Sequence, residues 1–516
     1  MKLKRMICLL LAGTVFLTAA GCRKSPSSGD SDIVSTDFYG YTQSGNSAGE
    51  FAEGTNMGEN DNSTQVITES SYISGTGSYG YTQNDNGSDK NSQKAHDDGL
   101  DYSVKDGKLS EEVLQNYLNK AMTFNGLISM SQYGTAPDGF NPTFERDMEF
   151  IRKVGPKYIG RAAYFWSYPK DMNIDYYKEY ITEGAREVHE FDPDIILEAA
   201  IFETCYKRFT DTVKIPEYVF KAFGLKPENR TFRYEDMWNT DFADNHWGEE
   251  HYSVPDITKT ETKMWFYYWG TFYIDAGYEC IHMGQSMLIG SKDIHYDMRR
   301  NMKNFREVFD MLREYAKEHG RRNFVMISSH AYDPDYVTYS DKEFPSDYTK
   351  RKLIYDFHTF PIRPDDTGQV MGDDGSMPVK ITEGYLDSIY GRSAGGLNPN
   401  GWMTEENPYI VEFDNCNVWT DTVYPTGTIT PWGKDESTWF MLQPMGTHGK
   451  VLEQLHKEIT EISGGNGHLL LPCHQPLARQ FMGVAMIKPY TESGVYYLGL
   501  DFEDTVKSIY DSYNKK

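Results

Sequence analysis

Eight short apolar segments recur between residues 125 and 474, too far apart in the chain to pair as hairpins. They cover 125–130, 157–166, 194–203, 278–285, 323–330, 353–358, 409–415 and 467–474, and each reads as a strand bounded by polar or turn-forming residues. Most gaps between them carry apolar residues at helical spacing, 143–154, 175–190, 258–276, 296–318 and 447–462, and a further helix over 501–513 closes the chain. Ser110, followed by Glu111 and Glu112, is placed to cap a further helix ahead of the first strand. Gly155-Pro156, Asp192-Pro193 and Gly320 supply stop signals, and Thr258 with Glu261 has the spacing of a capping box. Residues 204–257 read as an irregular insertion with a short helix at 217–223, and a Pro- and Asp-rich loop separates the fifth and sixth segments.

Strands separated by helices pair in parallel, because the crossover returns each strand to the same end of the sheet. The pattern predicts an α/β domain: a (β/α)8 TIM-like barrel with loop insertions, or else an open doubly wound sheet. A Rossmann fingerprint at a strand-to-helix turn and a Walker loop are both lacking, which removes two common chemistries.

The chain ahead of this domain has a different composition. A basic start, Lys2 to Arg5, precedes an apolar run over residues 6–20 that is too short to span a membrane stably. It ends Leu17-Thr18-Ala19-Ala20-Gly21-Cys22, which resembles the bacterial lipobox. That resemblance implies cleavage before Cys22, lipidation of Cys22 and an exported protein held to the cell membrane, facing outward. Residues 22–98 are rich in Ser, Gly, Asn, Asp and Thr, and they bury too little apolar surface to order themselves. The expected organisation is a signal peptide at 1–21, a lipidated and disordered tether at 22–98, and the barrel at 99–516. The net charge of −25, from 76 acidic and 51 basic residues, argues against a nucleic-acid partner. Cys205, Cys280, Cys416 and Cys473 show no CxxC spacing, so a zinc ribbon is not expected; buried thiols are favoured over two disulfides.

In a barrel of this kind, functional groups come from the C-terminal ends of the strands. Those ends deliver Arg161, Tyr164 and Trp166; Glu198 and Glu203; His282 and Gln285; His330; Asp356 and His358; Glu412, Asp414 and Asn415, with Trp419 just beyond; and His474. Residues two apart on a strand share a face, so Asp356 and His358 are expected on one side, and Glu412 and Asp414 likewise. Carboxylates gathered on adjacent strands raise one another's pKa, which keeps a general acid protonated near neutrality. Arg161 and Glu198, mid-strand on neighbouring strands, read more simply as an interior salt bridge. Tyr164, Trp166, Trp238, Trp247, Trp402, Trp419 and Trp432 fall at strand ends or in the loops after them, where rings can stack on sugar faces or pack as core.

Together the lipobox, the polar tether and the carboxylates at strand ends resemble a bacterial surface glycoside hydrolase of the (β/α)8 group. The resemblance implies carbohydrate as ligand and acid/base chemistry by Glu412, Asp414, Glu203 and Asp356, with no cofactor. It also implies that Arg161, Tyr164, Trp166, His282, Gln285, His330, His358, Asn415, Trp419 and His474 bind substrate. In the largest such group the acid/base Glu ends strand four; here Gln285 stands there, which leaves three options: the acid comes from Glu203 or Asp356, the reaction inverts, or the barrel binds without cleaving. Two alternatives are a glycan-binding lipoprotein without catalysis, and a metal-dependent hydrolase using His282, His330, His358 and His474 with Asp356 or Asp414.

Overall fold

The computed structural model describes residues 97–123, 127–128, 144–165, 174–293, 302–331, 338–340, 347–361, 393–413, 446–472 and 502–515. All of them belong to the second of the chain's two units, Asn62–Lys516. The expected leader and tether, Cys22 included, lie outside the described residues.

Eight strands form one sheet: β1 (Ala121–Thr123), β2 (Tyr158–Phe165), β3 (Ile196–Ile201), β4 (Cys280–His282), β5 (Met326–Ser328), β6 (His358–Pro361), β7 (Tyr409–Glu412) and β8 (Gly467–Pro472). Every pairing between neighbours is parallel, and β8 pairs with β1. A parallel bridge between His330 and Thr359 joins β5 to β6, with Thr359 N donating to Ser329 O at 3.0 Å. The ring is therefore closed, and the open doubly wound alternative falls. The long helices are α1 (Glu111–Asn119), α2 (Phe144–Val154), α3 (Ile174–Phe191), α4 (Thr260–Asp275), α5 (Lys303–His319), α6 (His448–Ile462) and α7 (Glu503–Ser512).

Local chemistry explains most boundaries. Ser110 accepts from Val113 N, so the expected cap forms. In α5, Phe305, Val308, Phe309, Leu312 and Ala316 are buried along one stripe. In α4 nearly every residue from Met264 to Ile274 is buried, because the insertion covers its outer side: Phe209 and Phe232 both pack edge-on against Trp265.

Three expectations are corrected. The first strand of the ring is Ala121–Thr123, which begins directly after Lys120 closes α1, with no Gly or Pro to mark that boundary; of the expected 125–130 only Leu127 and Ile128 are described, and they are in no strand. The sixth strand is displaced to His358–Pro361, and Lys352–Leu353 joins a separate four-stranded sheet instead. The capping box does not form: Thr258 bonds Asp256, while the Glu261 carboxylate is taken by Arg230 and by Arg233 N. Lys259, in extended conformation, is the N-cap of α4.

The interior is layered. Ala121, Tyr158, Ile196, Cys280, Met326, Phe357, Ile410 and Leu470, one from each strand or its approach, share a buried cluster with Leu114, Tyr117 and Leu118 of α1. Helix α1 thus plugs the end where the strands begin. Two residues further along each strand the same face presents Thr123, Gly160, Glu198, His282, Ser328, Thr359, Glu412 and Pro472. The change from apolar to polar happens in one step of the pleat, and it places the ionisable groups toward the open end.

Candidate active site

Glu198 organises the lower part of the polar layer. Its Oε1 accepts from Tyr158 OH at 2.5 Å and from Ser328 Oγ at 2.8 Å, and its Oε2 accepts from Arg161 N at 2.9 Å. Burial raises its pKa, and the Tyr158 bond, the Arg161 charge and the Ser328 bond oppose that rise. Because Ser328 donates its one proton to Glu198, its oxygen is left to accept from His282 Nδ1, 3.0 Å away. The proton of His282 is then on Nδ1, and Nε2 carries a bare lone pair with no hydrogen-bond partner among the described residues. Burial, together with the charges of His330 and Arg161, holds this imidazole well below its ordinary pKa and keeps it neutral.

Arg161 sits at φ +52°, where the β2–β3 register shifts between Ile159 and Ala163. This is a bulge, and it re-aims a side chain at the functional end of a barrel. The guanidinium does not turn to the Glu198 carboxylate, as expected of a simple interior pair. Its Nη2 lies 2.9 Å from Glu412 Oε1 and 2.8 Å from His330 Nε2. His330 Nε2 is in turn 2.7 Å from Glu412 Oε1. This triangle joins the ends of β2, β5 and β7. One proton decides whether the His330 nitrogen donates to Glu412 or accepts from Arg161. The His282 and His330 rings meet edge-on, with centroids 4.7 Å apart.

Glu203 follows β3, four strands from β7 in a closed ring of eight, and so stands on the wall opposite Glu412. Its carboxylate accepts from Gln285 N at 2.8 Å and Gln285 Nε2 at 2.9 Å. Among the described residues it makes no ion pair. Burial pushes its pKa up, and the Gln285 amide and the charge of His330 partly pull it back. Trp247 Nε1 donates to the Glu203 carbonyl at 3.2 Å, which fixes the insertion to this rim. Tyr164 packs edge-on to Phe202 at the same end.

Two expected site residues are turned away. Phe357 packs on Tyr158 inside the barrel, so its neighbours Asp356 and His358 face outward. Asp356 accepts from Arg313 of α5 at 3.0 Å, from Ile327 N at 2.8 Å and from Asn400 at 2.7 Å. His358 is held by the Ala331 carbonyl at 2.8 Å and Ser393 Oγ at 2.6 Å. The alternation was legible, but which face enters the barrel was decided by Phe357. Trp402 likewise belongs to the plugged end, where its Nε1 donates to Leu109 O, and Trp238 stacks on Tyr234 within the insertion. Gln285 is occupied by Glu203. Trp166, Asp414, Asn415, Trp419, Trp432 and His474 lie outside the described residues, as do Cys416 and Cys473; Cys205 and Cys280 are buried free thiols.

Among the described residues the histidines do not assemble a metal centre. His358 faces away, and the Arg161 cation beside His330 Nε2 disfavours a second cation there. Among the described residues no three His, Cys, Asp or Glu side chains are grouped to hold a metal ion.

His358 makes a separate prediction. Burial lowers its pKa from 6.5 to about 4. A depressed pKa means that the unfolded chain binds the proton first as pH falls, so stability is full above pH ~6.5 and is lost down to about pH 4, by up to about 3 kcal/mol. His468, lowered to about 3 for the same reason, adds to the slope. Urea unfolding of His358→Gln is expected to show a shallower decline between pH 6.5 and 4.5 than the parent.

No family model matches the chain, and no curated protein matches it. Solved structures do. The chain is similar to a cyclic alpha-maltosyl-(1→6)-maltose hydrolase from Arthrobacter globiformis in its ligand-free form, with 10% identity over 77% of this chain and 83% of that one, TM-score 0.38. A debranching enzyme of Nostoc punctiforme, soaked with acarbose, is similar at 10% identity over 77% and 82%, TM-score 0.37. An alpha-amylase from Malbranchea cinnamomea gives 8% identity, 76% of each chain and TM-score 0.37. These likenesses assign no role to any residue; the barrel rests on the strand pairing described above.

Proposed function

We propose that the barrel hydrolyses glycosidic bonds with Glu203 as general acid and Glu412 as the anionic partner, base or nucleophile. The observation that carries this is the contrast between the two carboxyls on opposite walls. Glu412 is ion-paired, its Oε1 2.9 Å from Arg161 Nη2. Glu203 is buried with amide donors and makes no ion pair among the described residues, and burial favours its protonated form. Two carboxyls in such unlike surroundings, one ion-paired and one buried without an ion pair, suit acid/base cleavage of an acetal. Their separation sets the outcome: ~5–5.5 Å for retention and ~6.5–9.5 Å for inversion. His282 Nε2 and Tyr164 supply an acceptor and a ring edge for a neutral carbohydrate. The leader ending at Cys22 is proposed to anchor the protein outside the cell membrane, with residues 22–98 as tether and 99–516 as the working domain.

The ion pairing of Glu412 also suits a second reading, capture of a glycan without cleavage, because a permanently paired carboxylate gives up nucleophilicity. The two are separated by running the full-length protein against aryl glycosides and polysaccharides beside Glu203→Gln. A lost general acid matters most when the leaving group is poor. Glu203→Gln is therefore expected to lose ~10²–10⁴-fold on an alkyl or polysaccharide leaving group and far less on a dinitrophenyl one. Equal losses on both would remove Glu203 from the acid role. Retention on a polysaccharide column with no hydrolysis by the parent would favour capture.

A further inference from the structure

At the end of β4 the chain makes a turn that serves one carboxylate. Gln285 reaches Glu203 with both its backbone N–H, at 2.8 Å to Oε2, and its side-chain amide, at 2.9 Å to Oε1. The residue before it, Gly284, has φ +52°, and a Cβ there would lie 2.0 Å from Glu203 Oε2. Only glycine lets the backbone approach the carboxylate so closely. The turn is fixed from its other side as well: the Gly284 carbonyl accepts from His330 N at 2.9 Å, and Ser329 Oγ lies 2.8 Å from it. The peptide that grips Glu203 is thus bonded to the strand end that carries His330, which touches Glu412.

We propose that Gln285 is the positioning residue of Glu203, gripping both carboxylate oxygens through a turn that Gly284 alone permits. One side-chain N–H of Gln285 and its backbone N–H are thereby committed to Glu203. Its effect on catalysis rests on the acid role proposed above; the grip on Glu203 does not. Both Gln285 donors favour the Glu203 anion and so oppose the effect of burial. Withdrawing the side-chain donor therefore lets Glu203 keep its proton to higher pH. Since an acid must be protonated to act, the alkaline limb of any Glu203-dependent activity moves upward too.

The test is a titration of the full-length protein carrying ¹³C at its Glu carboxyls, with the Glu203 resonance identified by its loss in Glu203→Gln. In Gln285→Met the Glu203 midpoint is expected to rise by about one pH unit or more. The alkaline limb of hydrolysis should follow it. Gln285→Asn, which retracts the amide by one methylene, is expected to move the midpoint the same way and replaces the Met variant if that one does not fold. A midpoint that rises in a protein without hydrolysis supports the grip and counts against the glycosidase reading. A folded variant whose Glu203 midpoint stays where the parent's lies overturns the proposal, whether or not it hydrolyses anything.

Discussion

Glu412→Gln is expected to lower hydrolysis by ~10³-fold or more, the loss typical when a group that acts in the transition state is removed. The substitution keeps the size and one carbonyl oxygen, so Arg161 and His330 retain an acceptor. What disappears is the charge. Without it no nucleophile or base remains at the end of β7 among the described residues, and the neutral amide cannot share the proton of His330 Nε2, now 2.7 Å from Glu412 Oε1. The loss should fall on activated and unactivated leaving groups alike, in contrast to Glu203→Gln, because bond formation at the sugar carbon is affected whatever departs. Far-ultraviolet circular dichroism unchanged from the parent would show that the loss is chemical.

Arg161→Met is expected to cost about 3–5 kcal/mol of folding stability, measured by urea unfolding. Arg161 and Glu412 are both nearly fully buried, 3% and 2% exposed. Removing the cation leaves a buried carboxylate whose remaining contact there is His330. Screening by solvent is weak at such burial, so the cost is larger than for the exposed pairs on the helices, such as Arg186 with Glu183. Adding Glu412→Gln to Arg161→Met should recover part of the loss, since the uncompensated charge is then gone, and the double-mutant cycle gives the coupling directly. Simple additivity of the two changes would mean that the pair seen at 2.9 Å carries no energy.

The barrel was largely legible because its strands are buried on both sides and bounded by helix stops. β3 shows this best: Ile196 to Ile201 is wholly buried, with Asp192-Pro193 before it. The site was legible to the level of strand ends and no further. Glu412, Arg161, His330 and Glu203 were identifiable as polar residues where a barrel carries its chemistry. Nothing in the sequence marks the bulge that turns Arg161 from Glu198 toward Glu412, because Ile159 to Ala163 contains no residue that favours positive φ once Gly160 is passed. The direction of Asp356 and His358 depended on whether Phe357 or its neighbours entered the barrel, and alternation alone leaves that choice open. Gly284 offered a signal that was passed over: a glycine one residue before Gln285 at a strand end, at a position where a close backbone approach was to be expected.

The most direct measurement compares hydrolysis of one substrate with a poor leaving group by the full-length parent, Glu203→Gln, Glu412→Gln and the double variant. If the two carboxyls act in one step, each single change is expected to cost ~10³-fold or so, and the double variant should fall little below the worse single one. Losses that multiply in the double variant, or single variants as active as the parent, would contradict a paired acid and base on opposite walls of this barrel.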